Sequence, residues 1–145
     1  MRSPRCCMAS LDLRHASLSV SIKPDFRKYL KFKWRGQLYF YTCFPNGLCH
    51  CLRYFTKLTK PGYAKLRAQL LFFSTSFIDD CYVQGNTFEE CAQNVHQTVK
   101  VFQSLGFVIH EGKSVLIPFK RLKYLRFWLD SDKMTVTLPA EKIRK

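Results

Sequence analysis

The dipeptide Asp79-Asp80 restricts this chain more than any other feature. It sits in an apolar frame, with Leu70-Leu71-Phe72-Phe73 and Phe77-Ile78 before it and Cys81-Tyr82-Val83 after it. Two adjacent carboxylates repel each other and resist removal from water. The segment must therefore turn there and present both side chains at an open edge. It reads as strand over Leu70–Ile78, turn at Asp79-Asp80, and strand over Cys81–Val83. Aspartates are common in turns for their own local reasons. A bound dication is the second explanation, because it relieves both the repulsion and the desolvation.

The charge balance bears on that choice. The chain carries 24 Lys and Arg against 10 Asp and Glu, a net charge of +14. Such a surface attracts polyanions, nucleic acid above all, although a basic soluble surface without a specific partner has the same composition. Before Glu89 the only carboxylates are Asp12, Asp25, Asp79 and Asp80, set among fourteen cations. Asp12 lies in Ser10-Leu11-Asp12-Leu13, a strand-like segment. A strand carboxylate beside an Asp-Asp hairpin supplies what two-metal phosphoryl transfer needs, since Mg²⁺ takes few protein oxygens and leaves the rest to water and substrate phosphates.

The remaining pattern indicates an α+β plan, with helices packed on one face of an antiparallel sheet. Residues 8–22 read as a strand, a turn near Arg14–Ala16 and a second extended piece, and Pro24-Asp25 starts a helical turn. Residues 30–41 read as a hairpin with Gly36 in its turn. Period two puts Leu30, Phe32 and Trp34 on one face and Lys31, Lys33 and Arg35 on the other. That cationic face is either solvated or phosphate-facing. Leu48, Cys51, Leu52, Phe55 and Leu58 have helical spacing over 47–60, and Pro61-Gly62 breaks or kinks that helix. Thr87 and Glu90 form a capping box for a helix over 88–105 that Gly106 ends. Short strands follow at Phe107–His110, Val115–Pro118, Lys123–Leu129 and Met134–Leu138, and Pro139 opens a last helix.

Six segments in order resemble reverse transcriptases. Asp12-Leu13-Arg14-His15-Ala16-Ser17 resembles motif A, and residues 25–32 resemble the fingers segment that follows it. Phe44-Pro45-Asn46-Gly47-Leu48 resembles motif B, and Phe77-Ile78-Asp79-Asp80 resembles the aromatic-x-Asp-Asp hairpin of motif C. Leu105-Gly106-Phe107 followed by Lys113-Ser114 resembles motif D. Tyr124-Leu125-Arg126-Phe127 resembles motif E, the primer grip. Together they cover about residues 9–143. Gly-Phe-Val-Ile at 106–109 and Asp130-Ser131 look closest to DIRS-type retrotransposons, with Gypsy-like elements second.

The resemblance implies the palm of a right-hand polymerase with a partial fingers hairpin and no thumb. It implies template-directed DNA synthesis from deoxynucleoside triphosphates on an RNA or DNA template with a primer. Asp12 and Asp79 would be the main ligands of two Mg²⁺ (or Mn²⁺) ions, with Asp80 the third carboxylate. Lys113 would protonate the leaving pyrophosphate. Arg27 and Lys28 would approach the incoming triphosphate, and Asn46, Gly47 and Phe77 would line the nucleotide and template side. Leu125, Arg126 and Phe127 would hold the primer. Ser17 stands where the family has the aromatic that floors the sugar pocket, which implies weak exclusion of ribonucleotides. His15 stands in place of a second Asp, Asn46 in place of a Phe, and Arg126 in place of a glycine that lets the backbone approach closely.

The implied layout is an unstructured leader over 1–8 and a reverse transcriptase domain over 9–145. In that domain 9–20 and 47–129 are palm, 21–46 partial fingers, and 130–145 the start of a connection to an absent thumb. The alternative function is a catalytically inactive, basic nucleic-acid-binding remnant. The seven cysteines include no Cys-x-x-Cys pair, and Cys49-His50-Cys51 lacks a second ligand pair at zinc spacing. With no signal-peptide pattern in Met1–Ser10, the expectation is reduced thiols in an intracellular, non-secreted protein. No apolar run is long enough to span a membrane.

Overall fold

A computed structural model describes residues 3–45, 47–70 and 74–139, without the side chains of 16, 17, 69 and 70. In chain order the elements are β1 (Cys7–Asp12), α1 (Pro24–Arg27), β2 (Lys31–Trp34), β3 (Gln37–Phe40), α2 (Cys51–Leu70) and β4 (Ser74–Phe77). Then come β5 (Asp80–Gly85), α3 (Phe88–Ser104), β6 (Val115–Phe119), β7 (Arg121–Tyr124), β8 (Phe127–Asp130) and β9 (Thr135–Thr137). The chain divides into two units. One is Met1–Arg14 with Pro61–Lys145, and the other is His15–Lys60.

The first unit is built on a four-stranded antiparallel sheet in the order β4-β5-β1-β6. Strand β1 pairs with β5 from Cys7 opposite Gly85 to Asp12 opposite Asp80. Alternation then sorts the side chains. Ala9, Leu11, Cys81 and Val83 share one face and are all buried. Helix α3 covers that face with Cys91, Val95 and Phe102. Its approach requires Gly85, where an added Cβ would lie 2.3 Å from the Cys91 nitrogen. Met8 and Tyr82 point the other way and pack with Cys6 and Leu122, flanked by Tyr124 and Leu129. A three-stranded sheet, β7-β8-β9, thus closes the second face. Asp12 and Asp80 stand at the end of this second face.

Helix α3 has the caps its sequence specifies. Thr87 Oγ1 accepts from the Glu90 amide at 3.1 Å, and the Asn86 amide donates to Glu90 Oε2 at 2.9 Å. The box is thus shifted, since the Glu90 carboxylate reaches one residue beyond the cap itself. At the other end Gly106 takes φ +85°. The Gly106 amide donates to Gln103 and the Phe107 amide to Phe102. The Phe102 and Phe107 rings meet at 5.8 Å. This is a Schellman ending with its hydrophobic contact.

In the second unit, α1 begins at Pro24 as its ring favours, and β2 and β3 form the hairpin read from the sequence. Its faces differ from the simple cationic and apolar split. Phe32, Trp34 and Tyr39 share one side, while Lys31 and Lys33 share the other with Leu38 and Phe40. Arg35 occupies the turn at φ 48° beside Gly36 at φ 83°.

Several expectations are corrected. The leader is not unstructured to residue 8, because Cys7 and Met8 are strand and Cys6 is fully buried. Residues 16–19 form a 3-10 helix rather than an extended piece. Helix α2 runs through Pro61 without ending, which rules out the break but not the kink. Beyond Pro61, burial of Tyr63 and Leu66 and the Tyr63–Phe102 ring contact at 4.8 Å offset the proline's cost. The single sheet is three separate ones among the described residues. The strand expected over Lys123–Leu129 is the hairpin β7–β8, turning at Leu125-Arg126. Near Phe107–His110 there is only an isolated bridge between Leu13 and Ile109. The helix expected after Pro139 lies outside the described residues.

Candidate active site

Asp12 closes β1, and Asp80 opens β5 directly opposite it. Side chains directly opposite on paired strands leave the sheet on the same side. Asp79 is not itself a strand residue. It is the second residue of the two-residue link between Phe77 and Asp80, and its carbonyl accepts from the Leu13 amide at 3.0 Å. One backbone bond therefore fixes the Asp-Asp turn against the end of β1.

The link carries strain. Ile78, its first residue, has φ 59°, a conformation that a β-branched side chain rarely takes and that hairpin links of this kind usually give to glycine. Strain of this sort costs on the order of 1–3 kcal/mol and persists only where the surroundings over-determine it. Here ladder pairing on both sides supplies that constraint.

The segment after α3 completes the cluster. The His110 amide donates to the Asp12 carbonyl at 2.8 Å, and the Lys113 amide donates to the His110 carbonyl at 3.1 Å. Ser114 Oγ accepts from the Asp12 amide at 3.0 Å and donates to the His110 carbonyl at 2.9 Å. This ties the Lys113 loop to the backbone of Asp12. The electrostatics record the result. Burial, then Asp79 and Asp12, push the Asp80 carboxyl above its ordinary range, and the Lys113 ammonium opposes them.

An open cleft of about 600 Å³ adjoins the carboxylates, lined by Phe77, Asp79, Asp80, Leu125 and Arg126. Leu125 and Arg126 both have positive φ, 47° and 68°, in a two-residue turn where Asn-Gly would be the ordinary choice. Phe127 follows on β8 and is 42% exposed. The Tyr124 hydroxyl donates to the Asp80 carbonyl at 3.3 Å and its ring lies 5.5 Å from that of Tyr82. Tyr124, Ser114 and His110 thus brace the site through backbone atoms. Ser114 and Tyr124 lie within the motif D and E segments, whereas nothing in the sequence singled out His110.

The structure therefore brings together Asp12, Asp79, Asp80 and Lys113, with Phe77, Leu125 and Arg126 on the same cleft. Arg27, Lys28 and Gly47 belong to the other unit. There the Arg27 guanidinium donates to the Ile22 carbonyl at 3.0 Å, and the Lys28 ammonium sits 5.1 Å from the Tyr29 ring centroid. Asn46 and the Ser17 side chain lie outside what is described. Among the described residues, no three His, Cys, Asp or Glu side chains are gathered into a preformed cage for a metal ion. No helix among them is long and apolar enough to cross a membrane.

No family model matches the chain, and no curated protein matches it. Solved structures do. A foamy viral protease-reverse transcriptase in complex with an RNA/DNA hybrid superposes with a TM-score of 0.79 at 20% identity, over 93% of this chain and 17% of that one. The same type of protein in complex with double-stranded DNA gives 0.80 at 20% identity, over 97% of this chain and 28% of that one. A form of it designated dRH, also with double-stranded DNA, gives 0.81 at 20% identity, over 97% and 23%. The chain thus spans between about a sixth and somewhat over a quarter of the structures it matches. It has a reverse transcriptase-like fold of mixed helices and antiparallel sheets.

Proposed function

We propose that this chain is the palm, with part of the fingers, of a retroelement reverse transcriptase, and that its carboxylate cluster serves template-directed nucleotidyl transfer. The wording of residues 106–109 and of Asp130-Ser131 favours a DIRS-type element, with Gypsy-like elements second. The observation that carries the reading is the pairing of Asp12 with Asp80 across β1 and β5, with the Leu13–Asp79 backbone bond beside it and Lys113 acting on the same carboxylates.

The donor set suits hard divalent cations. It is all carboxylate, with Asp80 raised by burial and then by Asp79 and Asp12, and a dication would offset both effects. Mg²⁺ or Mn²⁺ suits so small a set of carboxylates, because such an ion binds through one or two of them and fills its shell with water and substrate phosphate. Asp12 and Asp79 would hold two such ions, with Asp80 as third carboxylate. When bound, the ions polarise the attacking primer hydroxyl and the leaving phosphate. The protein's own part is positional. β1 and β5 fix the carboxylates, Lys113 presents a proton at Nζ toward the departing pyrophosphate, and the Leu125–Phe127 segment holds the primer end at the cleft. RNA or DNA template, primer and deoxynucleoside triphosphates are the partners this requires.

The test is primer extension by the purified chain on an RNA template with a DNA primer, with Mg²⁺ or Mn²⁺, beside Asp79→Asn. Metal-dependent extension that vanishes in the variant is expected. Salt-dependent binding without extension, from a chain that melts cooperatively, would instead establish a catalytically inactive nucleic-acid-binding remnant.

A further inference from the structure

Two of the seven cysteines meet across a gap in the main sheet, and the carboxylate chemistry uses neither. Cys7 is the first residue of β1 and stands opposite Gly85 of β5. By alternation Cys7 shares the α3-covered face with Ala9 and Leu11. Cys6 packs on the other face with Met8, Tyr82 and Leu122. A side chain at position 85 would lie beside that of Cys7, with their Cβ atoms about 4.5–5.5 Å apart. Gly85 supplies no such atom, and α3 fills the place instead. The Cys91 Cβ lies 2.9 Å from where a Gly85 Cβ would be. Its thiol is turned to the sheet, 4.0 Å from the Val83 carbonyl. The Cys7 and Cys91 Cβ atoms are thus on the order of 5 Å apart, against about 3.5–4.5 Å in a disulfide. A slight settling of α3 onto β1 brings them to bonding geometry.

The surroundings give the two sulfurs different parts. Both thiols are free. Cys91 is fully buried and Cys7 is 8% exposed, so a small oxidant reaches Cys7 first. Burial, then Cys7 beside it, push the Cys91 thiol up to about 12, which keeps it protonated and inert until its neighbour changes. Cys81 is buried on the same face but stands opposite Leu11. Leu11 is four residues along β1 from Cys7, roughly 13 Å away, which is beyond the reach of a disulfide.

We infer that Cys7 and Cys91 are a redox-responsive pair, which peroxide converts to a disulfide that staples the start of β1 to the first turn of α3. The Cys7 thiolate attacks one peroxide oxygen, the O–O bond breaks and hydroxide leaves, so that Cys7 becomes a sulfenic acid. The Cys91 sulfur then attacks the Cys7 sulfur, the S–O bond breaks and a second hydroxide leaves. The two thiol protons convert both hydroxides to water. Two thiols and one peroxide thus give one disulfide and two waters. The bridge closes more than half of the chain into a loop and holds β1, whose far end carries Asp12, against α3. It does not rest on the carboxylate reading, since neither cysteine belongs to that cluster.

The experiment treats the whole chain with hydrogen peroxide, alkylates the remaining thiols, and digests after Lys, Arg and Glu for mass spectrometry. It is run on the parent and on a chain carrying Cys6→Ala and Cys49→Ser. In that chain Cys7 is the one thiol of residues 6–14, and the exposed competitor Cys49 is gone. Cys91 is the one thiol of residues 91–100 in both proteins. A reducible link between those two peptides is expected in both proteins, with a melting temperature raised by roughly 5–15 °C in the oxidised chain. Adding Cys7→Ala or Cys91→Ala should abolish the link and the rise together. Oxidation in urea should lower the yield of the link several-fold, because the fold brings the pair together. The absence of the link from a chain that melts cooperatively overturns the proposal. So does an equal yield in urea, a Cys7 oxidised to the sulfinic acid while Cys91 remains alkylated, or a linked chain that melts no higher than the reduced one.

Discussion

Asp80 shows at one residue how the site sets chemistry against stability. Its carboxyl is raised chiefly by burial, then by Asp79 and Asp12, with Lys113 opposing. A raised folded-state value means that the fold prefers the neutral acid. That preference contributes fully below the ordinary carboxylate range and is lost as pH rises through the raised value. Asp80→Asn imitates the neutral acid. In EDTA it should therefore raise the melting temperature at neutral pH and leave it nearly unchanged at about pH 3.5, below the usual aspartate value. The gain should be small, under ~1 kcal/mol, because the group is only partly buried and solvent screens it. Equal increments at both pH values would assign the effect to packing instead. Their neighbours carry backbone strain: Ile78, beside Asp79, and Leu125 and Arg126, on the cleft, all take positive φ. A chain selected for stability alone would place glycine or asparagine there.

Among the elements, α2 offers the sharpest test, because it contradicts its own sequence. Pro61 sits in its interior, where it removes a hydrogen bond and crowds the preceding turn. Pro61 is exposed, so alanine there gives up little buried surface. Pro61→Ala is expected to stabilise the chain by on the order of 2 kcal/mol in urea denaturation, somewhat less than the ~3 kcal/mol of a fully strained interior proline. A fall in the midpoint would mean that a bend at Pro61 is required for packing. What could be read in advance follows the same division between local and distant causes. Thr87, Glu90 and Gly106 act within one turn of α3, so its ends were legible. The Asp79-Asp80 hairpin was legible because charge had to leave an apolar run. The β7–β8 turn was not, since Leu125-Arg126 carries no turn signal and is held at positive φ by the strands on either side. Nor was the continuity of α2, which depends on Phe102 and Leu105 lying against the helix at Gly62. That Asp80, not Asp79, stands opposite Asp12 is a matter of strand register, which the residues alone do not encode.

For the whole molecule, the carboxylate cluster is an electrostatic anomaly in a chain of net charge +14. The acids near Lys113 persist although most of the chain's charge is basic, and burial together with their mutual repulsion raises Asp80. A ligand that binds this arrangement and not the unfolded chain must stabilise the fold by mass action. At a hundred times its dissociation constant the increment is about 2.7 kcal/mol, which for a domain of this length is a rise of several degrees in melting temperature. Mn²⁺ should therefore raise the melting temperature of the parent chain in the absence of nucleic acid and nucleotide. Asp12→Asn and Asp79→Asn should each remove most of that rise. Asp25→Asn should keep it, because Asp25 pairs with Lys23 in solvent at 3.4 Å and belongs to the other unit. A rise of equal size in all four proteins would assign the ion to the general surface. A rise confined to the parent and Asp25→Asn would locate the ion at the pairing of β1 with β5, whether or not the chain extends a primer.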